Sequence, residues 1–182
     1  MYKNIYFLTG FMAAGKTTIA PILANTLGWQ YFDLDREMEK KTGRKIVELF
    51  REKGEIYFRK LENETLVEIS NGNNLIISLG GGTLLNQENV DFIRSTGKLI
   101  YLKSSVNSIF RRLKNKRDRP ALFIDDEFPE DDMLYQKIEQ MLNDRKIIYE
   151  KSDITIDTDK TSVGKSVDML AKIISKNINS SI

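Results

Sequence analysis

Gly10-Phe11-Met12-Ala13-Ala14-Gly15-Lys16-Thr17 stands between the apolar run Asn4–Thr9 and the helix-forming stretch that begins at Thr18-Ile19-Ala20. It fits the pattern G-x-x-x-x-G-K-[ST] in the required order of strand, loop and helix. Its glycines let backbone N–H groups close around phosphate oxygens, and the helix N-terminus adds partial positive charge. Lys16 reaches the β- and γ-phosphates and the Thr17 hydroxyl can ligate Mg²⁺. The ATP-binding residues expected of this loop are Ala13, Ala14, Gly15, Lys16, Thr17 and Thr18. Pro21 lies in the first turns of the helix, where proline costs least, and calls for no more than a local adjustment.

Outward from this loop, short apolar runs alternate with longer helix-like stretches. Strands are expected at Asn4–Thr9, Gln30–Asp33, Leu75–Leu79, Lys98–Leu102 and Ile154–Asp157. Helices are expected at Lys16–Leu27, Asp35–Thr42, Ile46–Lys53, Glu55–Ser70, Gln87–Ser95, Val106–Leu113, Asp131–Glu150 and Ser162–Lys176. The strands read as continuous apolar runs, as parallel strands covered on both faces do. The fold class is therefore α/β, with ligands beyond the carboxyl ends of the strands. At 182 residues the chain has the length of one domain.

Composition narrows the chemistry. With 28 basic and 26 acidic residues the net charge is +2, too balanced for a nucleic-acid or anionic-membrane footprint. Apolar runs fall short of a membrane span and Met1-Tyr2-Lys3-Asn4 leads into a strand-like run without a signal-peptide core, so the expected location is cytoplasmic. Cysteine and histidine are both absent, which removes disulfides, thiolate chemistry, typical zinc sites and the commonest general base. Phosphoryl transfer suits what is left, because the protein there mainly positions groups and supplies positive charge.

The residues just past the other strands are candidates for the rest of the site. Tyr31-Phe32-Asp33-Leu34-Asp35 supplies two carboxylates two residues apart, able to share one side of an extended segment. Asp33 is assigned to the metal's water shell, since neither Leu75–Leu79 nor Lys98–Leu102 ends in an acid. Asp35 is left to orient an acceptor hydroxyl or take its proton; the competing role is to N-cap the helix starting at Arg36. Arg59 and Glu62, three apart on one helix face, form a steering pair or an ordinary surface pair. Gly80-Gly81-Gly82 costs backbone entropy, which points to close approach of a ligand. The basic stretch from Arg111 to Pro120, followed by the acidic Asp125–Asp132, has the character of a mobile lid carrying arginines over ATP, or of a charged surface loop.

Taken together, the chain resembles the shikimate kinases from Asn4 to about Ala171. The resemblance rests on the phosphate loop, Asp33-x-Asp35 with Glu39-Lys40-Lys41-Thr42-Gly43, Phe58-Arg59-x-x-Glu62, Gly80-Gly81-Gly82, Arg119-Pro120 and Arg145-x-x-x-Tyr149. It implies a P-loop NTPase three-layer α/β/α fold with a five-stranded parallel sheet, like that of nucleoside monophosphate kinases. A single domain over 1–182 is implied, with a substrate-binding region about 35–62 and a lid about 112–128. It further implies that Asp35, Arg59, Gly81 and Arg145 bind shikimate, that Lys16 and Arg119 contact the ATP phosphates, that Thr17 and Asp33 serve Mg²⁺, and that Arg112 lies against the adenine. Lys16, Asp35 and Arg119 are the implied catalytic residues, Phe50 and Phe58 wall the acceptor pocket, and a monomer is expected. Shikimate 3-phosphate and ADP would be the products, on the route to chorismate and the aromatic amino acids. Alternatives are a gluconate or other small-metabolite kinase and a nucleotide-binding regulatory module. Three positions depart from the family pattern: Ala13 where glycine is usual, Ala121-Leu122-Phe123 after Arg119-Pro120, and Val163 where some members carry proline.

Overall fold

The computed structural model describes residues 4–116, 120–124 and 127–179. Five parallel strands, β1 (Ile5–Thr9), β2 (Gln30–Asp33), β3 (Leu75–Ser78), β4 (Lys98–Lys103) and β5 (Ile154–Asp157), form one sheet in the order β2-β3-β1-β4-β5. The helices are α1 (Lys16–Leu27), α2 (Leu34–Thr42), α3 (Ile46–Ile69), α4 (Gln87–Thr96), α5 (Val106–Leu113), α6 (Asp131–Tyr149) and α7 (Val163–Asn179). All five expected strands are present within a residue of their expected ends.

Alternate residues of each central strand feed two separate cores, which is why the runs are apolar throughout. Ile5, Phe7, Leu75, Ile77, Leu99 and Tyr101 pack on one face with α2, α3 and α4. Tyr6, Leu8, Ile76, Ile100 and Leu102 pack on the other with α1 and α7. A third cluster places Phe11 of the phosphate loop against Ile109, Leu113, Leu134 and Ile138, and Leu122 is buried in it. Leu122 thereby ties the segment after α5 to the loop. Of the basic stretch and lid, residues 117–119 and 125–126, Arg119 among them, lie outside the described residues.

The two helices expected at Ile46–Lys53 and Glu55–Ser70 run together as α3, with a break at Gly54, whose φ of 78° and ψ of 172° are not helical. A Cβ at Gly54 would meet nothing within 4 Å, so backbone conformation alone calls for glycine there. α1 continues through Pro21 to Leu27 and stops at Gly28 in the left-handed conformation.

Candidate active site

The phosphate loop connects β1 to α1, and Gly15, with φ 106°, caps the helix. Lys16 Nζ donates to the carbonyls of Gly10 at 2.6 Å and Phe11 at 3.2 Å, so its ammonium lies inside the loop. Thr17 and Thr18 are exposed in the first turn of α1, while Ala14 is buried. Ala13 has φ 61°, the left-handed region that an alanine occupies only at a cost. The position thus requires positive φ, the condition under which alanine in place of glycine carries strain.

Arg112, in the last turn of α5, donates to the Ala13 carbonyl at 2.8 Å and to Ser104 Oγ at 3.3 Å. Asp159 stands behind it, 3.8 Å from Nη2, and also accepts from Ser104 Oγ and Ser105 N at 2.7 Å each. Burial raises the Asp159 pKa, but these serine hydrogen bonds outweigh it and hold the carboxyl down at about 2. Between Arg112 and the start of α7 lies a cavity of about 260 Å³, lined also by Ala13, Thr158, Val163 and Ser166. It lies at the foot of the phosphate loop, and Thr158, Thr161 and Val163 from the segment after β5 line it.

Of the two carboxylates at the end of β2, Asp33 rather than Asp35 takes the capping role. Asp33, at the strand's end, is the N-cap of α2: its Oδ1 accepts from Arg36 N at 3.2 Å and its Oδ2 from the Tyr31 hydroxyl at 3.3 Å. Asp35 is therefore not the cap. It lies in the first helical turn, and the pair does not share an extended segment, because β2 ends at Asp33. Burial, then the negative charges of Asp33 and Glu62, push the Asp35 pKa up to about 6, against a lowering by Lys16. A carboxyl so placed holds a proton more readily than an exposed one.

Gly80-Gly81-Gly82 is where the residues expected on the acceptor side come together. A Cβ on Gly80 would stand 2.7 Å from Asp35 Oδ1, one on Gly82 3.2 Å from Arg59 Nη2, and one on Gly81 3.7 Å from Arg145 Nη1. The three glycines thus each face one of the three side chains expected to bind the acceptor. Arg145 donates to Gly81 O at 2.8 Å, and Arg59 lies 3.4 Å from Gly82 O. None of the three glycines has positive φ. Close approach of a side chain, rather than turn geometry, calls for glycine at 80 and crowds position 82, whereas the contact at Gly81 is an ordinary one.

Arg59 and Glu62 form the expected pair at 2.9 Å, with the Glu62 side chain 2% exposed. Phe58 lies under the Arg59 guanidinium at 5.4 Å, and Phe50 meets Phe58 edge to face at 5.5 Å. Phe11 lies 5.6 Å from the Arg145 guanidinium, so a residue of the phosphate loop also packs against this arginine. Sequence reasoning missed this contact, and likewise Thr83, whose hydroxyl donates to Glu62, and Asn89, which donates to the Thr83 carbonyl. Thr83 directly follows the glycines, the one local signal that could have marked it.

For Mg²⁺ the donor set is one of hard oxygens. Asp33 and Leu8 flank Ser78 in register on either side of β3, which puts the backbone of Asp33 two strand spacings, about 9.5 Å, from the strand that carries the loop. Among the described residues no three acids, histidines or cysteines cluster as a metal cage. One hydroxyl and one carboxylate fit a cation that keeps several waters and takes its remaining ligands from phosphates.

Among the described residues no helix is long and apolar enough to cross a membrane. The family model for shikimate kinase matches residues 12–176. A shikimate kinase of Chloroherpeton thalassium is 40% identical over 183 residues, covering 96% of this chain and 94% of the relative. The crystal structure of shikimate kinase from Bacteroides thetaiotaomicron superposes with a TM-score of 0.86 at 34% identity, covering 94% of this chain and 98% of that one. Shikimate kinase from Acinetobacter baumannii in complex with shikimate gives 0.84 at 30% identity, covering 97% and 95%. With the strand order, the phosphate loop and the glycine triplet already in place, these matches show that the chain belongs to the shikimate kinase family.

Proposed function

We propose that this chain transfers the γ-phosphate of ATP to the 3-hydroxyl of shikimate, giving shikimate 3-phosphate and ADP on the route to chorismate and the aromatic amino acids, and that the named side chains divide the work as follows. The observation that carries the assignment of roles is the convergence of Asp35, Arg145 and Arg59 on three consecutive glycines, with Lys16 close enough to Asp35 to lower its pKa. Arg59 and Arg145 take the acceptor carboxylate, a geometry suited to guanidinium forks, and the backbone at Gly81 lies against the ring. Asp35 accepts a hydrogen bond from the reacting hydroxyl and points its oxygen at phosphorus; as the new O–P bond forms and the bond to the β-phosphate oxygen breaks, the proton moves to the carboxylate side.

Lys16 and the N–H groups from Ala13 to Thr18 hold the phosphates, and Arg112 lies beside the nucleoside cavity. Arg119 adds positive charge from the lid. Thr17 and Asp33 would hold Mg²⁺ directly and through water, and that cation when bound neutralises charge on the β- and γ-phosphates. The protein acts as a monomer in the cytoplasm, without nucleic-acid or membrane partners, as one domain with a substrate-binding region about 35–62 and a lid about 112–128.

The test is ADP release by the purified protein with ATP and Mg²⁺, comparing shikimate, gluconate, a nucleoside monophosphate mixture and no acceptor. Release with shikimate alone is expected. Release with a different acceptor would overturn the acceptor assignment and keep the nucleotide site.

A further inference from the structure

We infer that Thr83 is a positioning residue for acceptor recognition, acting through Glu62 on Arg59. The inference rests on the proposed role of Arg59 as a ligand of the acceptor carboxylate.

Five side chains from α3, the turn after the glycines and α4 form one chain of contacts. Asn63 Nδ2 donates to Asn89 Oδ1 at 2.9 Å, and Asn89 Nδ2 donates to the Thr83 carbonyl at 3.1 Å. The Thr83 hydroxyl donates to Glu62 Oε1 at 2.8 Å, and Glu62 Oε2 accepts from Arg59 Nη1 at 2.9 Å. Thr83 and Asn89 are wholly buried and Glu62 nearly so. Buried polar groups are held this way because an unmade hydrogen bond in the interior is expensive.

The consequence lies in how the two carboxylate oxygens are shared. A carboxylate beside a guanidinium tends to turn so that both oxygens meet two parallel N–H groups. The Thr83 hydroxyl keeps Oε1, so Glu62 takes Arg59 by Nη1 alone. Nη2 and Nε are then left to Glu55 Oε1, at 3.3 Å each, on a side chain that is 63% exposed and that an incoming carboxylate can displace. Without the hydroxyl, Glu62 turns to fork both oxygens onto Arg59, the buried oxygen gains its partner, and the edge offered to the acceptor is used up. Asn89 keeps Thr83 at the right height by holding its carbonyl. The hydroxyl also stands 3.1 Å from where a Cβ of Gly80 would be, so the same residue abuts the glycine loop.

The test is steady-state kinetics of Thr83→Val, which keeps the shape and loses the hydroxyl, beside Thr83→Ser and Arg59→Lys. Thr83→Val should raise the KM for shikimate about 10-fold or more, with kcat and the KM for ATP within about 2-fold of the parent, as loss of a hydrogen bond to a charged group implies. Thr83→Ser should restore the parent value. An unchanged shikimate KM in Thr83→Val while Arg59→Lys raises it overturns the role of Thr83 alone. Equal rises in both KM values, or no rescue by serine, overturn it in favour of general support. If Arg59→Lys leaves the shikimate KM unchanged, the assignment of Arg59 itself has failed. Should Thr83→Val not fold, Asn89→Ser decides: a selective rise of about 3-fold is expected, and no change overturns the inference.

Discussion

Replacing Gly80 by alanine isolates the role of close approach at the acceptor site. The backbone there is not in the left-handed region, so the substitution adds no conformational strain, and its whole effect comes from one methyl group. That methyl would lie 2.7 Å from Asp35 Oδ1 and 3.1 Å from Thr83 Oγ1. An ordinary contact for such a pair is about 3.4 Å or more, so the carboxylate must withdraw by roughly 0.7 Å. Misplacement of a reacting group by about 1 Å can cost 10²-fold, and kcat/KM for shikimate should fall by about 30- to 100-fold, some 2–2.7 kcal/mol of transition-state stabilisation. Nucleotide affinity, measured by calorimetric titration with ADP, should stay within about 2-fold, since the phosphate loop is untouched. The neighbouring glycines grade the effect: Gly82→Ala, at 3.2 Å from the Arg59 guanidinium, should be milder, and Gly81→Ala, at 3.7 Å from Arg145, should disturb the ligand-free fold least. A Gly80→Ala protein with kcat/KM within about 3-fold of the parent would refute the idea that Asp35 needs this space.

Asp35→Asn should abolish acceptor-dependent turnover and stabilise the free protein. Its folded pKa of about 6 exceeds the unfolded value of about 3.9, so stability contributed by the protonated acid is fully present below pH 4 and is lost as pH rises through 6. The variant should gain on the order of 1–2 kcal/mol at pH 7.5 in magnesium-free urea unfolding, with no gain at pH 4; a loss at pH 7.5 would contradict the burial argument. Ala13→Gly relieves a left-handed alanine worth about 1–2 kcal/mol and returns about 0.4–1 kcal/mol through the looser unfolded chain, so Tm should rise by about 1–3 °C. A lower Tm in ligand-free thermal unfolding would show that the alanine methyl packs more favourably than its backbone strains. Arg112→Ala removes the donor to the Ala13 carbonyl and one wall of the nucleoside cavity, and the KM for ATP should rise about 10-fold while that for shikimate is unchanged. A matched rise in both would place Arg112 in general support instead.

What could be read from the chain depended on how local the cause was. Strands and helices were legible because both faces of β1, β3 and β4 are buried and helix starts and stops carry their own residues. The break in α3 was legible at Gly54, where only glycine adopts the backbone needed. The competing reading of Asp35 as the N-cap of α2 fell on the wrong acid because Asp33 and Asp35 are chemically alike and only the end of β2 decides between them. Gly80-Gly81-Gly82 was singled out for a close approach, but which groups approach follows from tertiary packing: Arg145 arrives on α6, 64 residues away. Thr83 and Asn89 carry no local mark of their link to Glu62, since that link joins three separate elements.

The strand order also bears on how the chain comes to be folded during its synthesis. β1 is the first strand in the chain and the middle strand of the sheet, paired through Ile5 to Leu75 on one side and through Phe7 to Leu99 on the other. At roughly 5–20 residues per second, about 5–20 s pass between translation of β1 and translation of β4. Through that interval β1 can gain β3 on one side but has no neighbour on the other, and it carries the start of the phosphate loop with it. A nascent chain halted before β4 cannot assemble that loop's strand between two partners, so nucleotide affinity should be acquired late, in one step, rather than grow with chain length.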